Sequence, residues 1–199
     1  MAAVAGLALP KALAAPASAE VPLAAAMPQQ AGPPDMIARA LAALDTHASL
    51  VPNRDRIGVA DYSLYSNEYR FHIVDVAGGK ISRSYLVSHG KGSDRANSGM
   101  VQRFSNVPGS NASSDGAFLT GQEYYGKHGR SRRLHGLDDR NDQAFDRAIV
   151  IHGASYVDRN MALNQGRVGR SLGCFAFEKC EIAEVLELLG PGRLLFSAR

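Results

Sequence analysis

The stretch "IVIHGASYVDRNMALNQGRVGRSLGCFAFE", Ile149 to Glu178, runs from an apolar segment ending at His152 to a Gly-rich turn ending at Cys174. Branched apolar residues over 149–151 predict a buried strand, which fixes the direction of the imidazole that follows it. Gly153 comes next and leaves backbone carbonyls free to accept from one ring nitrogen, the task a carboxylate performs in a Ser-His-Asp triad. In "GRSLGC" the small residues Ser171 and Gly173 let the chain turn sharply, so that the N–H groups of Gly173 and Cys174 converge on a developing oxyanion. A thiol attacks as thiolate, and a free cysteine with a pKa of about 8.5 is mostly protonated at neutral pH, so it needs a base beside it. The pattern therefore predicts Cys174 as nucleophile, His152 as base, Gly153 as its orienter and Gly173 as an oxyanion donor.

Working outward, 199 residues suit a single core, since domains run to about 100–200 residues. With 45% hydrophobic and 21% charged residues the chain has ordinary globular composition. A net charge of +3 is far below what a dedicated nucleic-acid binder needs. The first 34 residues differ: they are Ala/Pro-rich, hold Glu20 as their one acidic residue, and include "ASA" at 17–19. They read as an export segment or an Ala/Pro linker, which puts the protein in the periplasm or cell envelope and leaves residues 35–199 as one domain. No 18-residue apolar run follows, so no transmembrane helix is expected.

Within residues 35–199, "DMIARALAALDTHA" places Ile37, Leu41, Leu44 and Ala48 on one helical face, with Asp35 as N-cap. "RIGVADYS", "YRFHIVDV" and "KISRSYLVSHG" read as strands, the last two joined by a hairpin at Ala77-Gly78-Gly79. From Lys91 to Arg140 the chain is dense in Gly, Ser, Asn and Arg and reads as long loops broken only by "AFLTG". "NDQAFDRA" reads as a helical turn capped by Asn141 or Asp142. The end carries an amphipathic helix through Ile182, Val185, Leu186 and Leu189, then the strand "RLLFSA".

The segments "RFSN", "SSDGAFLTG", "YYGKHGRS", "RLHGLDDRND", "RAIVIHGASYV" and "GRSLGC", in that order, resemble the murein L,D-transpeptidase catalytic-domain family, a divergent branch of the YkuD-like L,D-transpeptidases. The resemblance spans Asp61 to Phe196. It implies a mainly β fold with a few helices, a sandwich-type catalytic domain with long loops, in which Cys174 is the nucleophile and His152 the general base. It also implies peptidoglycan stem peptides as donor and acceptor and carbapenem-type β-lactams as acylating ligands. Better-known members carry a histidine just before the Gly-Cys pair and an asparagine shortly after; here Leu172 and Phe175-Ala176-Phe177 stand in those places.

Beside the nucleophile, Arg170 and Ser171 are candidate substrate contacts, with Tyr124, Tyr125 and Tyr156 as groove walls or core residues and Arg133 in a basic run that either faces solvent or clamps carboxylates. His89 ends a strand that could approach the site, or is a structural histidine. A stem of L-Ala, D-Glu, diaminopimelate and D-Ala has two L-to-D junctions, and both stay open as donor: diaminopimelate, the junction better-known members use, would give 3,3 cross-links, and L-Ala, which apolar Leu172, Phe175 and Phe177 would suit if they face the groove, would give 1,3 cross-links. Two other functions stay open at this point. Water as acceptor would make the enzyme a carboxypeptidase or endopeptidase, and a Cys174–Cys180 disulfide would leave a non-catalytic wall-binding module. Two thiols and one imidazole at these spacings match no zinc pattern, and no metal or organic cofactor is expected.

Overall fold

The computed structural model describes residues 1–3 and 34–199, so the segment read as an export signal or linker lies almost wholly outside the described residues. Helix α1, Pro34–Thr46, turns Met36, Ala40 and Leu44 inward and leaves Ile37 and Leu41 at the edge of the contact. The buried stripe is thus rotated by one position from the expected one, because Met36 rather than Ala48 supplies its end.

Eight strands form one sheet: β1 Arg56–Asp61, β2 Phe71–Asp75, β3 Lys80–Tyr85, β4 Gly116–Gly126, β5 Gly129–Gly136, β6 Val150–Ala154, β7 Phe175–Glu178 and β8 Leu194–Ala198. Their order is β3-β2-β1-β8-β4-β5-β6-β7. The β1/β8 and β6/β7 pairs are parallel and the others antiparallel. The two ends of this sheet meet. Just beyond β3, the Ser88 N–H donates to the Ala176 carbonyl of β7 at 2.9 Å, and Phe71 of β2 meets Phe177 of β7 edge-on with ring centroids 4.8 Å apart. The sheet therefore curls back on itself and encloses its core, which gives the mainly β, sandwich-type architecture its inside.

Alternation along the strands sorts side chains to the two faces. On β8, Leu195 points into the inner core with Phe71, Phe118, Phe175 and Phe177, while Leu194 and Phe196 point to the outer face covered by α1. Helix α3, Ile182–Leu188, closes the inner core with Val185 and Leu186. A short α2, Arg159–Gln165, lies between β6 and β7, with the Asp158 carboxylate accepting from the Met161 N–H at 3.0 Å.

Residues 91–115 are loop, as the composition suggests, but β4 and β5 form a long hairpin where mostly loop was expected. The reason is a polar strand interior. Arg132 of β5 is buried, donates to the Gly121 carbonyl at 3.0 Å and the Leu186 carbonyl at 2.9 Å, and pairs with Glu123 at 3.3 Å. Such partners are assembled only by the fold, so hydropathy cannot see them. Asn141 likewise does not cap the 3-10 turn Asp142–Ala144; it is buried and donates to the Ala117 carbonyl at 2.9 Å.

Phe177 packs on both Phe71 and Tyr85 across the closure. Phe177→Ala should therefore cost about 3–5 kcal/mol of unfolding free energy, whereas Leu163→Ala, at 82% exposure, should stay within about 0.5 kcal/mol. Urea titration checks both.

Candidate active site

The parallel register of β6 on β7 pairs Ile151 with Phe175 and His152 with Ala176, so Cys174, just ahead of β7, comes level with Val150. Both side chains face one cleft of about 370 Å³ whose lining includes Tyr124, Lys127, His128, Arg147, His152, Tyr156, Arg170, Ser171, Leu172 and Cys174. Three of these carry fixed positive charge and none is a carboxylate.

His152 is almost fully buried, and its Nδ1 lies 3.0 Å from the Gly153 carbonyl oxygen. A carbonyl only accepts, so Nδ1 carries the proton and Nε2 is left as the basic nitrogen. On its other side the ring stacks on His128, centroids 4.2 Å apart, at the tip of the β4–β5 hairpin. Burial lowers the His152 pKa, the Gly153 hydrogen bond opposes this, and the nearby His128 and Lys127 add to the lowering. Burial pushes the Cys174 thiol up, against the pull of the Val150 N–H and of the Lys127 and Arg147 charges. The resting pair is thus a neutral thiol and a neutral imidazole. The thiol donates to the Ala148 carbonyl at 3.5 Å, and Ala148 itself holds a left-handed φ of 54°, a conformation an alanine adopts only under constraint from its surroundings.

Ser171 closes the turn beneath the thiol. Its hydroxyl donates to the Cys174 carbonyl at 2.8 Å and accepts the Gly173 N–H at 3.1 Å. The oxyanion role expected of Gly173 is therefore not open in this geometry, because its N–H is already engaged. Gly173 is required for another reason: at φ 118° a Cβ would lie 2.7 Å from the Ala112 carbonyl oxygen.

A family model described as "L,D-transpeptidase catalytic domain" matches residues 29–197. The chain belongs to the L,D-transpeptidase catalytic-domain family. No curated protein matches it. Among solved structures it is similar to an L,D-transpeptidase from Mycobacterium smegmatis, with 14% identity, TM-score 0.46, and coverage of 73% of this chain and 59% of that one. It is also similar to L,D-transpeptidase 1 of Mycobacterium tuberculosis, with 14% identity, TM-score 0.40, and coverage of 73% and 62%. A third is an L,D-transpeptidase from Xylanimonas cellulosilytica, with 16% identity, TM-score 0.42, and coverage of 80% and 69%. This chain thus spans 59% of the mycobacterial structure named first.

In this L,D-transpeptidase domain the cleft gathers Cys174, His152, Arg170, Ser171 and Tyr156, all expected from the sequence. Tyr156 is pushed up to about 12, mainly by burial, so its hydroxyl stays a donor at neutral pH. Gly169 makes room for it, since a Cβ there would meet Tyr156 at 2.6 Å. Arg170 donates to the Asp94 carbonyl. Tyr125 is not a groove wall, since strand alternation turns it outward, 80% exposed, whereas Tyr124 lines the cleft as expected. Arg133 stands just outside the lining, its guanidinium 4.2 Å over the Tyr124 ring.

His89 does not reach the cleft. It is fully buried between Arg70, 2.8 Å from its Nδ1, and Asp94, 3.3 Å from its Nε2. Its backbone carbonyl, instead, accepts the Ser171 N–H at 2.9 Å, so it holds the turn from behind. Phe175 and Phe177 are core residues, and of the three apolar residues expected around the nucleophile only Leu172 lines the cleft. Cys174 and Cys180 are both free thiols at opposite ends of β7. Four strand residues at about 3.3 Å each hold them more than about 10 Å apart, too far for a disulfide.

Arg147 was not foreseen. It donates to the Ser105 and Ala112 carbonyls at 2.7 and 2.6 Å and to the Ser114 hydroxyl at 2.5 Å, tying loop 105–114 to the cleft. Its place immediately before "AIVIH" was the available signal. Among the described residues no cluster of three His, Cys, Asp or Glu could hold a metal ion, and no helix is long and apolar enough to cross a membrane.

Two outcomes follow from these environments. Burial, more than the neighbouring Arg70 charge, lowers His89 from 6.5 to about 4. The unfolded state therefore binds the proton more tightly, and stability present above about pH 6.5 should fall as pH drops toward about 4, measured by urea unfolding across that range. In a Cys180→Ser background, the pH midpoint for alkylation of Cys174 should lie above the ordinary thiol value of about 8.5, and Lys127→Met should move it higher by removing a charge that favours the thiolate.

Proposed function

We propose that this domain is a peptidoglycan L,D-transpeptidase working through a Cys174 acyl-enzyme. What carries the reading is the placement of Cys174 and His152 in one cleft, with the Gly153 carbonyl holding Nδ1–H so that Nε2 is the base, in a chain of this family. His152 Nε2 takes the thiol proton as Sγ attacks the carbonyl of an L-residue joined to a D-residue. The same nitrogen then protonates the departing amine, the C–N bond breaks, and a thioester remains. An amine on a second stem attacks that thioester, passes its proton to His152, and expels the thiolate, which is reprotonated. The acceptor stem is thereby cross-linked.

The donor proposed is diaminopimelate, giving 3,3 cross-links. With Phe175 and Phe177 turned into the core, rejection of a charged arm rests on Leu172 alone, while Lys127 and Arg170 stand in the cleft as partners for a carboxylate. Burying that arm unpaired would cost several kcal/mol; pairing removes the objection. The substrate is extracytoplasmic, so export is part of the proposal, as is acylation of Cys174 by a carbapenem, whose strained carbonyl offers the thiolate an electrophile.

Intact mass after incubation with tetrapeptide stems should show a Cys174-bound tripeptide acyl group, absent in Cys174→Ala and retained in Cys180→Ala. His152→Ala should slow acylation roughly 10²–10⁴-fold. Cross-linked dimers with D-Ala released support the proposal; tripeptide without dimers makes the enzyme a hydrolase, and donors cut after L-Ala make it a 1,3 transpeptidase.

A further inference from the structure

The basic segment 127–140 contains four arginines, and among the described residues three of them have carboxylate partners. Arg130 pairs with Glu123 at 2.6 Å, Arg132 with Glu123 at 3.3 Å, and Arg140 with Asp115 at 3.3 Å. Arg133 has none. Its guanidinium lies 4.2 Å from the Tyr124 ring centroid and 5.8 Å from that of Phe145, and Phe145 is in turn stacked on His135 at 4.8 Å. Aromatic faces hold a guanidinium flat while leaving the N–H groups at its edge to bind an oxyanion fork.

Its position relative to the nucleophile follows from the sheet. Arg133 of β5 pairs with Val150 of β6, and Val150 is level with Cys174. Two strand spacings put the Arg133 and Cys174 Cα atoms about 10 Å apart. Directly opposed residues of an antiparallel pair share a face, so Arg133 projects on the side of Val150, which lines the cleft. Of the other cations there, Arg147 is taken up by loop 105–114, whereas Arg170, which also bonds the Asp94 carbonyl, and Lys127 line the cleft, where the reading above gives them the donor's side arm.

The chemistry of transpeptidation supplies the ligand. Departure of the donor's D-residue and attack by the acceptor amine are one step run in opposite directions, so both amines pass through the same place. In a D-Ala leaving group the amine carbon bears a carboxylate. The side-chain amine of diaminopimelate sits on a D-configured carbon that also bears one. D-Glu released from L-Ala would be alike, because it is joined onward through its side chain.

We infer that Arg133, held between Tyr124 and Phe145, anchors the α-carboxylate of a D-configured amino acid unit, and that this single subsite serves both the leaving residue and the acceptor. The inference rests on the transpeptidase reading above. It makes Arg133 a specificity residue read twice per catalytic cycle, and it gives the acceptor amine its orientation toward the thioester.

The test compares carboxylates with carboxamides in each half-reaction. Donors are a tetrapeptide stem and its C-terminal amide, followed by acyl-enzyme formation. Acceptors are D-alanine and D-alaninamide, with rates expressed per unprotonated amine. The unsubstituted protein should prefer the carboxylate roughly 10–100-fold in kcat/KM in both halves, the worth of a charge-assisted pair. Arg133→Gln should bring both preferences close to one, and Arg133→Lys should restore part of them. Arg140→Gln, which removes a charge of the same segment that is paired with Asp115, should keep them. Each preference is a ratio within one variant, so it does not depend on the fraction folded. A preference that survives Arg133→Gln, or that vanishes in only one half-reaction, overturns the shared subsite, as does its loss in Arg140→Gln. If the unsubstituted protein forms no acyl-enzyme with either donor, the transpeptidase reading fails first and the subsite with it.

Discussion

The parallel pairing of β6 with β7 is the constraint on which the cleft depends. It sets Val150 beside Cys174 and His152 beside Ala176, so the thiol and the imidazole come from neighbouring strands that 20 residues of intervening chain could not align by themselves. That pairing is secured from behind. The Ser88 N–H bonds the Ala176 carbonyl, and the Ser171 N–H bonds the His89 carbonyl. The segment after β3 thus locks both the strand that follows Cys174 and the turn that precedes it. Buried backbone groups must find partners, and here those partners lie more than 80 residues away in the chain.

Electrostatics at the cleft pull in two directions. Burial keeps Cys174 and His152 neutral, yet the walls carry Lys127, Arg147 and Arg170 with no carboxylate among the lining residues. A neutral resting pair avoids the desolvation cost of a buried ion pair. The surrounding cations then act on the charge that appears only when the thiol gives up its proton. Arg147 is also mechanical, since its bonds to Ser105, Ala112 and Ser114 fix the loop against which Gly173 packs.

Polar groups inside the fold do structural work of the same kind. Arg70 and Asp94 bracket His89, Arg132 bridges β4 and α3, and Asn141 ties the chain after β5 to β4. Each satisfies carbonyls or charges that burial would otherwise leave unpaired. A hairpin rich in Arg, Gly and His can therefore sit within the sheet instead of looping over its surface.

The apolar run at 149–151, the period-two strands, the C-terminal helix stripe and the ordered family-like segments were legible in the chain, and with them the family and the His152–Cys174 pair. So was the freedom of Gly153 to present a carbonyl, because that depends on the two residues alone. The β4–β5 hairpin was not legible, since its buried Arg132 is tolerable only with Glu123 and two distant carbonyls in place. Nor were the inward turn of Phe175 and Phe177, the burial of His89 and the engagement of the Gly173 N–H. Local sequence determines what a residue can donate, accept or bury; which partner it meets is decided by strand register and by the closure of the sheet, and those are set by contacts distant in sequence.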